Sequence, residues 1–153
     1  MNRPTGLGSR LRLLVTRLDE AVEQSYRDAG LDFRPRYFPY FQLLMDRDSA
    51  SVGECVAELG FTQPAATQTL QAMTRSGLIE PIPGRDRRER RYILSAAARA
   101  MIPELERIWQ AAARAADILD DALPHPLGAI IDAALVRLER TSFHHMIAQE
   151  LRQ

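Results

Sequence analysis

The sequence predicts a mainly α-helical chain of 153 residues, about six helices interrupted once by a β-hairpin. Three observations predict it. Apolar residues recur at spacings of three and four along most of the chain, the period of a helix with one buried side. Around residues 78–94 that period gives way to two short strand-like runs flanking a polar loop. Glycine, proline or a capping residue marks nearly every place where a helical pattern starts or stops.

The first helix runs from Leu7 to Ala29 on Leu7, Leu11, Leu14, Leu18 and Val22, with Gly30 as its C-terminal cap. A second helix starts near Pro35 or Arg36 and carries Tyr37, Phe38, Phe41, Leu44 and Met45; Pro39 inside it implies a kink or a later start. Ser51-Val52-Gly53-Glu54 is a capping box, in which the serine hydroxyl and the glutamate carboxylate each accept from the other residue's amide. The short helix it opens turns Val52, Val56 and Leu59 inward and stops at Gly60. Thr62 caps the next helix, Pro64 fits its first turn, Ala66, Leu70 and Met73 form its buried stripe, and Gly77 ends it. Strands follow at Leu78–Ile82 and Arg91–Leu94 around the loop Pro83–Arg90. Ser95 caps a long helix to about Asp121, with Met101, Leu105, Ile108, Ala112 and Leu119 on its apolar side and a bend expected at Pro103. Leu123-Pro124-His125-Pro126 breaks the chain before a last helix from Leu127 to near the end.

Composition narrows the function classes. An apolar fraction of 46% with 26% charged residues is that of a soluble globular protein. No apolar run approaches the ~18 residues that span a bilayer. Met1–Ser9 has no apolar signal core, so a cytoplasmic location is expected. One cysteine excludes an internal disulfide and a cysteine-only zinc site. No phosphate-cradling glycine loop, zinc-protease motif or nucleophile elbow is present, so neither an enzyme nor a cofactor is expected. Cys55 reads as a buried small hydrophobe. His144 and His145 are adjacent and do not share a helix face; with His125 they read as helix surface, not as a metal site.

Two short helices joined by a tight turn at Gly60 and followed by a hairpin make a helix-turn-helix with a wing. The second helix sets its dry stripe against an outer face of Gln63, Thr67, Gln68 and Gln71, uncharged but rich in hydrogen-bonding groups. A helix fits the major groove of DNA, and glutamine can bond an adenine edge bidentately. Pro64 and Ala65 complete the candidate contact surface, and Ala65 and the Thr67 methyl suit a thymine methyl. The loop Arg85-Asp86-Arg87-Arg88-Glu89-Arg90-Arg91 holds five arginines and two acids. Such a tip can meet phosphates or enter a narrow minor groove. The net charge of zero argues against indiscriminate, tail-driven binding; all twenty basic residues are arginines, whose planar fork suits phosphates and guanine edges.

Residues 56–73, VAELGFTQPAATQTLQAM, resemble the helix-turn-helix of the MarR family of winged-helix transcriptional regulators. Ser76-Gly77-Leu78-Ile79-Glu80 resembles that family's passage into the wing, and Asp86-Arg87-Arg88 its Asp-x-Arg wing signature. Leu94-Ser95 with Arg99 and Pro103-Glu104-Leu105 resembles the start of its long fifth helix. The resemblance implies a single domain over 1–153: dimerisation helices at 7–30 and 123–153, a DNA-binding lobe at 35–94, and a linking helix at 95–122. It further implies a homodimer on palindromic double-stranded DNA, with Arg85, Asp86, Arg87, Arg88 and Arg90 of the wing joining the second helix at the DNA. A small aromatic or phenolic effector is implied as well, with Tyr26, Tyr37, Tyr40, Phe41 and Trp109 as its candidate lining. The alternative is a winged helix used for protein–protein contact without specific DNA binding.

Overall fold

Capping side chains at Ser51, Thr62, Ser95 and Ser142 mark where four of the helices begin. In the computed structural model, which describes residues 6–84, 86 and 89–152, Ser51 and Glu54 form the expected capping box: the Glu54 amide donates to Ser51 Oγ (3.2 Å) and the Ser51 amide to Glu54 Oε2 (2.8 Å). Thr62 Oγ1 accepts from the Ala65 amide, and Ser95 Oγ from the Ala98 amide at 3.0 Å. Gly60 stands at φ 71°, a left-handed conformation that costs glycine nothing and lets the chain reverse within one residue. Gly30 and Gly77 have the same sign of φ just after the helices that end at Asp28 and Arg75.

The chain separates into two compact units at Ile108–Trp109. The first holds α1 (Leu7–Asp28), a 3-10 turn (Pro35–Tyr37), α2 (Phe38–Asp46), β1 (Ala50–Ser51), α3 (Val52–Leu59), α4 (Gln63–Arg75), β2 (Ile79–Pro83), β3 (Arg90–Leu94) and the first part of α5 (Ala96–Asp121). The remainder of α5, α6 (Leu127–Arg140) and α7 (Phe143–Glu150) form the second.

The three strands form an antiparallel sheet in the order β1-β3-β2, with Ala50 opposite Tyr92 and Ile79, Pro81 and Pro83 opposite Leu94, Tyr92 and Arg90. Both prolines of β2 thus lie on an edge strand, where a missing N–H leaves the inner ladder intact. The core of this unit gathers Phe41, Cys55, Ala66, Leu70, Met73, Ile79, Leu94, Ala98 and Leu105, all at most 2% exposed.

Several expectations change in detail. The 3-10 turn takes up Pro35–Tyr37, so α2 begins at Phe38 and Pro39 falls in its first turn, where no amide hydrogen is needed. The strand β1 is an addition to the expected elements; two residues carry too little pattern to be read. Cys55 is the fully buried residue of α3, while Val52, Val56 and Leu59 are half-buried. α5 runs as one helix with Pro103 inside it, as the sequence predicts. The expected last helix is two, because Ser142 Oγ accepts from the His145 amide (3.2 Å) and caps a separate α7, giving seven α-helices among the described residues.

In the second unit, Asp120 Oδ1 at the end of α5 accepts from the Leu127 amide at 2.9 Å and so fixes the start of α6. No residue of α6 or α7 is buried among the described residues; Ile130, Leu135 and Phe143 are 51%, 56% and 58% exposed. Among the described residues, no helix is long and apolar enough to cross a membrane.

Candidate nucleic-acid interface

The two faces of α4 differ as the spacing of its residues predicts. Ala66, Leu70 and Met73 are fully buried, and Ala72 nearly so. Gln63, Pro64, Ala65, Gln68 and Gln71 are exposed on the other side, and Thr67 is half-buried. This outer face offers amide and hydroxyl groups that both donate and accept, and no fixed charge. Packing holds it still from behind. The Tyr40 ring of α2 stacks on Phe61 in the turn, with centroids 5.8 Å apart and planes 19° off parallel. Burial pushes the Tyr40 phenol's pKa up, against a lowering hydrogen bond with Thr69 on α4. Burial, then the Glu54 carboxylate, raises the Cys55 thiol's pKa. A thiol held protonated in the core is a poor nucleophile, in keeping with a packing role.

Beside the β1–β3 pairing, one guanidinium ties the wing to the helix-turn-helix. Arg91 of β3 donates from Nε to Ser49 Oγ (2.9 Å), and from Nη2 to the Ser49 carbonyl (3.0 Å) and Glu54 Oε2 (2.8 Å). Glu54 therefore caps α3 and anchors the wing at once. Its carboxyl is held below the ordinary range, first by the Ser51 amide, against a burial cost, and then by Arg91. Further out, the Gly84 amide donates to the Glu89 carbonyl and the Glu89 amide to the Asp86 carbonyl, both at 2.9 Å. A Cβ on Gly84 would lie 2.9 Å from that Glu89 carbonyl, so glycine is the residue that lets the loop close.

Asp86 and Arg90 are exposed, as a contact role requires; Arg85, Arg87 and Arg88 lie outside the described residues. Sequence pattern alone assigns no anchoring role to Arg91 or to Ser49, which accepts from it. The two arginines of the Arg90-Arg91 pair sit on opposite faces of β3, so adjacency in sequence hides their difference.

The candidate effector residues are placed differently. Tyr26, Tyr37 and Phe41 surround Phe33, with ring centroids 5.0, 5.8 and 5.2 Å from it in edge-to-face contacts. These rings and Tyr40 are at most 2% exposed, so a ligand could reach them only by displacing one. Trp109 belongs to the second unit and is half-buried. Among the described residues, no cluster of three or more histidine, cysteine or acidic side chains could hold a metal ion.

No protein-family model matches the sequence, and no curated protein matches it. Solved structures do match. The transcriptional regulator MosR of M. tuberculosis, solved in complex with DNA, is 20% identical with a TM-score of 0.67, the match covering 97% of this chain and 99% of that one. A mutant of E. coli MarR complexed with operator DNA gives 17% identity, a TM-score of 0.66 and coverage of 86% and 92%. BpsR of Bordetella bronchiseptica, whose DNA binding is regulated by 6-hydroxynicotinic acid, gives 19%, 0.60, 93% and 98%. The fold of this chain is that of the MarR-type winged-helix regulators, over nearly its whole length.

Proposed function

We infer that this chain is a MarR-family regulator that binds double-stranded DNA in a sequence-specific way as a homodimer, with repression of transcription from a palindromic operator as its action. The observation that carries the reading is α4: a helix locked into a dry core on one side and presenting Gln63, Thr67, Gln68 and Gln71 on the other. An exposed helix face of hydrogen-bonding, uncharged side chains suits base edges in a major groove. The arginine-rich wing beside it suits the phosphates and minor groove. MosR and MarR, of like fold, were solved with DNA, which supports the same use here.

The exposed apolar faces of α6 and α7 support the second copy. Ile130, Ile131, Leu135, Leu138, Phe143 and Ile147 are each at least 40% exposed. Each is already about half covered within its own chain, so covering the rest would contribute roughly half of the ~1.5–3 kcal/mol of a fully exposed apolar side chain. Residues 7–30 and 123–153 are accordingly the dimerisation helices, 35–94 the DNA-binding lobe and 95–122 the link between them. Two lobes would then meet half-sites about one helical turn, roughly 34 Å, apart. The work of such a protein is binding rather than catalysis, and its place is the cytoplasm.

The regulation of BpsR by 6-hydroxynicotinic acid supports a small aromatic or phenolic effector for this chain. Tyr26, Tyr37, Tyr40, Phe41 and Trp109 are its candidate contacts. Because four of these rings are closed into the core, an effector would act by favouring a second arrangement of them, and so must bind the two arrangements unequally.

Fluorescence anisotropy on DNA from upstream of the protein's own coding sequence, across a salt series with a scrambled competitor, tests the reading. The expected result is tight, salt-dependent binding with a preference of roughly a thousandfold over the competitor. A folded, dimeric protein without any preference would point to the protein–protein alternative.

A further inference from the structure

A cleft of about 220 Å³ opens between the last turns of α4 and the outer half of the β2–β3 hairpin, lined by Gln71, Thr74, Arg75, Pro81, Arg90 and Tyr92. Strand register explains its hairpin wall. Pro81 pairs with Tyr92, and Pro83 with Arg90. Residues two apart share a sheet face, so these four side chains line one side of the hairpin, continuing outward from the buried Ile79–Leu94 pair. Arg91, one residue on, falls on the opposite face and is consumed by Glu54 and Ser49.

The opposite wall comes from α4. Gln63, Thr67, Gln71 and Arg75 recur every four residues and form one stripe along the helix. Its first members are the proposed base readers; its last member is a cation at the cleft. Arg75 and Arg90 are both exposed, neither has an ion-pair partner among the described residues, and no carboxylate lines the cleft. The cleft thus has two guanidinium groups without an ion-pair partner among the described residues and the Gln71 amide, while the Thr74 hydroxyl donates to the Leu70 carbonyl (2.8 Å) and, with Pro81 and the mostly buried Tyr92, completes the walls.

We propose that this cleft is a clamp for one phosphodiester of the DNA backbone, held between Arg75 and Arg90 where the strand passes from the groove read by α4 to the groove met by the wing. The proposal rests on the DNA-binding reading above and adds a site to it. A helix that reads bases with its N-terminal part leaves the groove at its C-terminal end, where it meets the backbone. Guanidinium groups suit a phosphate there because each can offer two parallel N–H donors. Such a contact is blind to sequence and sets the register of the protein on the duplex.

The test uses a duplex selected by the full-length protein from a random pool, remade as a series with a single neutral methylphosphonate at each backbone position in turn. Arg75→Gln and Arg90→Gln should each weaken binding about tenfold on the selected and a scrambled duplex alike, and lower the salt slope by about one. At one backbone position the methylphosphonate should weaken the unsubstituted protein, and there neither variant should lose anything further. Thermal midpoints within a degree or so of the unsubstituted protein would confirm that the variants fold. Unchanged affinity in Arg75→Gln, or separate losses that add at every methylphosphonate position, would overturn the clamp while leaving DNA binding intact. Failure of the unsubstituted protein to select any duplex would overturn both.

Discussion

In α4, Ala66, Leu70 and Met73 recur at helical spacing and are wholly buried; in α6, Ile131, Leu135 and Leu138 recur in the same way and stand at least 40% exposed. The first region is complete in one chain. Its helices α3, α4 and α5 are capped by side chains, its strands are paired, and among the described residues no buried side-chain nitrogen or oxygen lacks a hydrogen-bond partner. The second region has well-formed helices and nothing over their apolar sides within its own unit. Contiguous apolar surface of this kind marks an interaction site on a soluble protein. On the proposed reading the two regions do different work: one is a rigid reader, the other an adhesive surface for a second copy.

Substitutions in each region probe that contrast. Leu70→Ala should cost the lobe about 2–5 kcal/mol, since it removes a fully buried side chain and leaves a cavity. Chemical denaturation followed by far-ultraviolet circular dichroism measures the loss directly. The paired change Ile131→Asp with Leu135→Asp should leave the lobe folded and split the dimer. Sedimentation velocity should then show single chains, and affinity for DNA should fall about a hundredfold, close to 3 kcal/mol. If those two aspartates were tolerated in a stable dimer, the adhesive surface would have to lie elsewhere.

Within the reader, Gln68→Ala should weaken binding by about 1–3 kcal/mol on the selected duplex and leave a scrambled duplex unaffected. Arg88→Ala should weaken both duplexes evenly and flatten the salt dependence. Equal losses on both duplexes for Gln68→Ala would remove base reading from α4. The smallest expected effect lies at the wing anchor. Ser51→Ala should cost about 0.5–2 kcal/mol, the range for a lost N-cap. Because the Glu54 carboxyl is held below its ordinary range, its stabilising effect is present at neutral pH and is lost as pH falls through that lowered value. Acid unfolding of Glu54→Gln should therefore lack that part of the pH dependence, which a thermal-melt series across acidic pH would reveal.

Much of the reader is legible in the residues. The capping box at Ser51, the turn at Gly60 and the two faces of α4 each follow from short-range rules, and the structure realises all three. Illegible are features that depend on distant pairing. β1 is strand only because Ala50 and Ser51 meet Tyr92 and Arg91 some forty residues later. Arg91 resembles any other loop cation until the register turns it towards Glu54. Arg75 can be found by extending the four-residue stripe of α4 by one turn, but its counterpart Arg90 is brought to it only by the hairpin. The aromatic candidates do not separate core from pocket for the same reason: helical spacing says that a ring faces inward, not whether another ring already fills the space.

The central claim is that two copies read one two-fold symmetric site. It is tested most directly by measuring the mass of the protein–DNA complex by sedimentation on the selected duplex, and on versions with five or ten base pairs inserted at its centre. Two chains per duplex are expected, with binding abolished by the five-pair insertion and partly restored by ten, since half a turn moves the half-sites to opposite sides of the helix. One chain per duplex, or indifference to the five-pair insertion, would contradict the account.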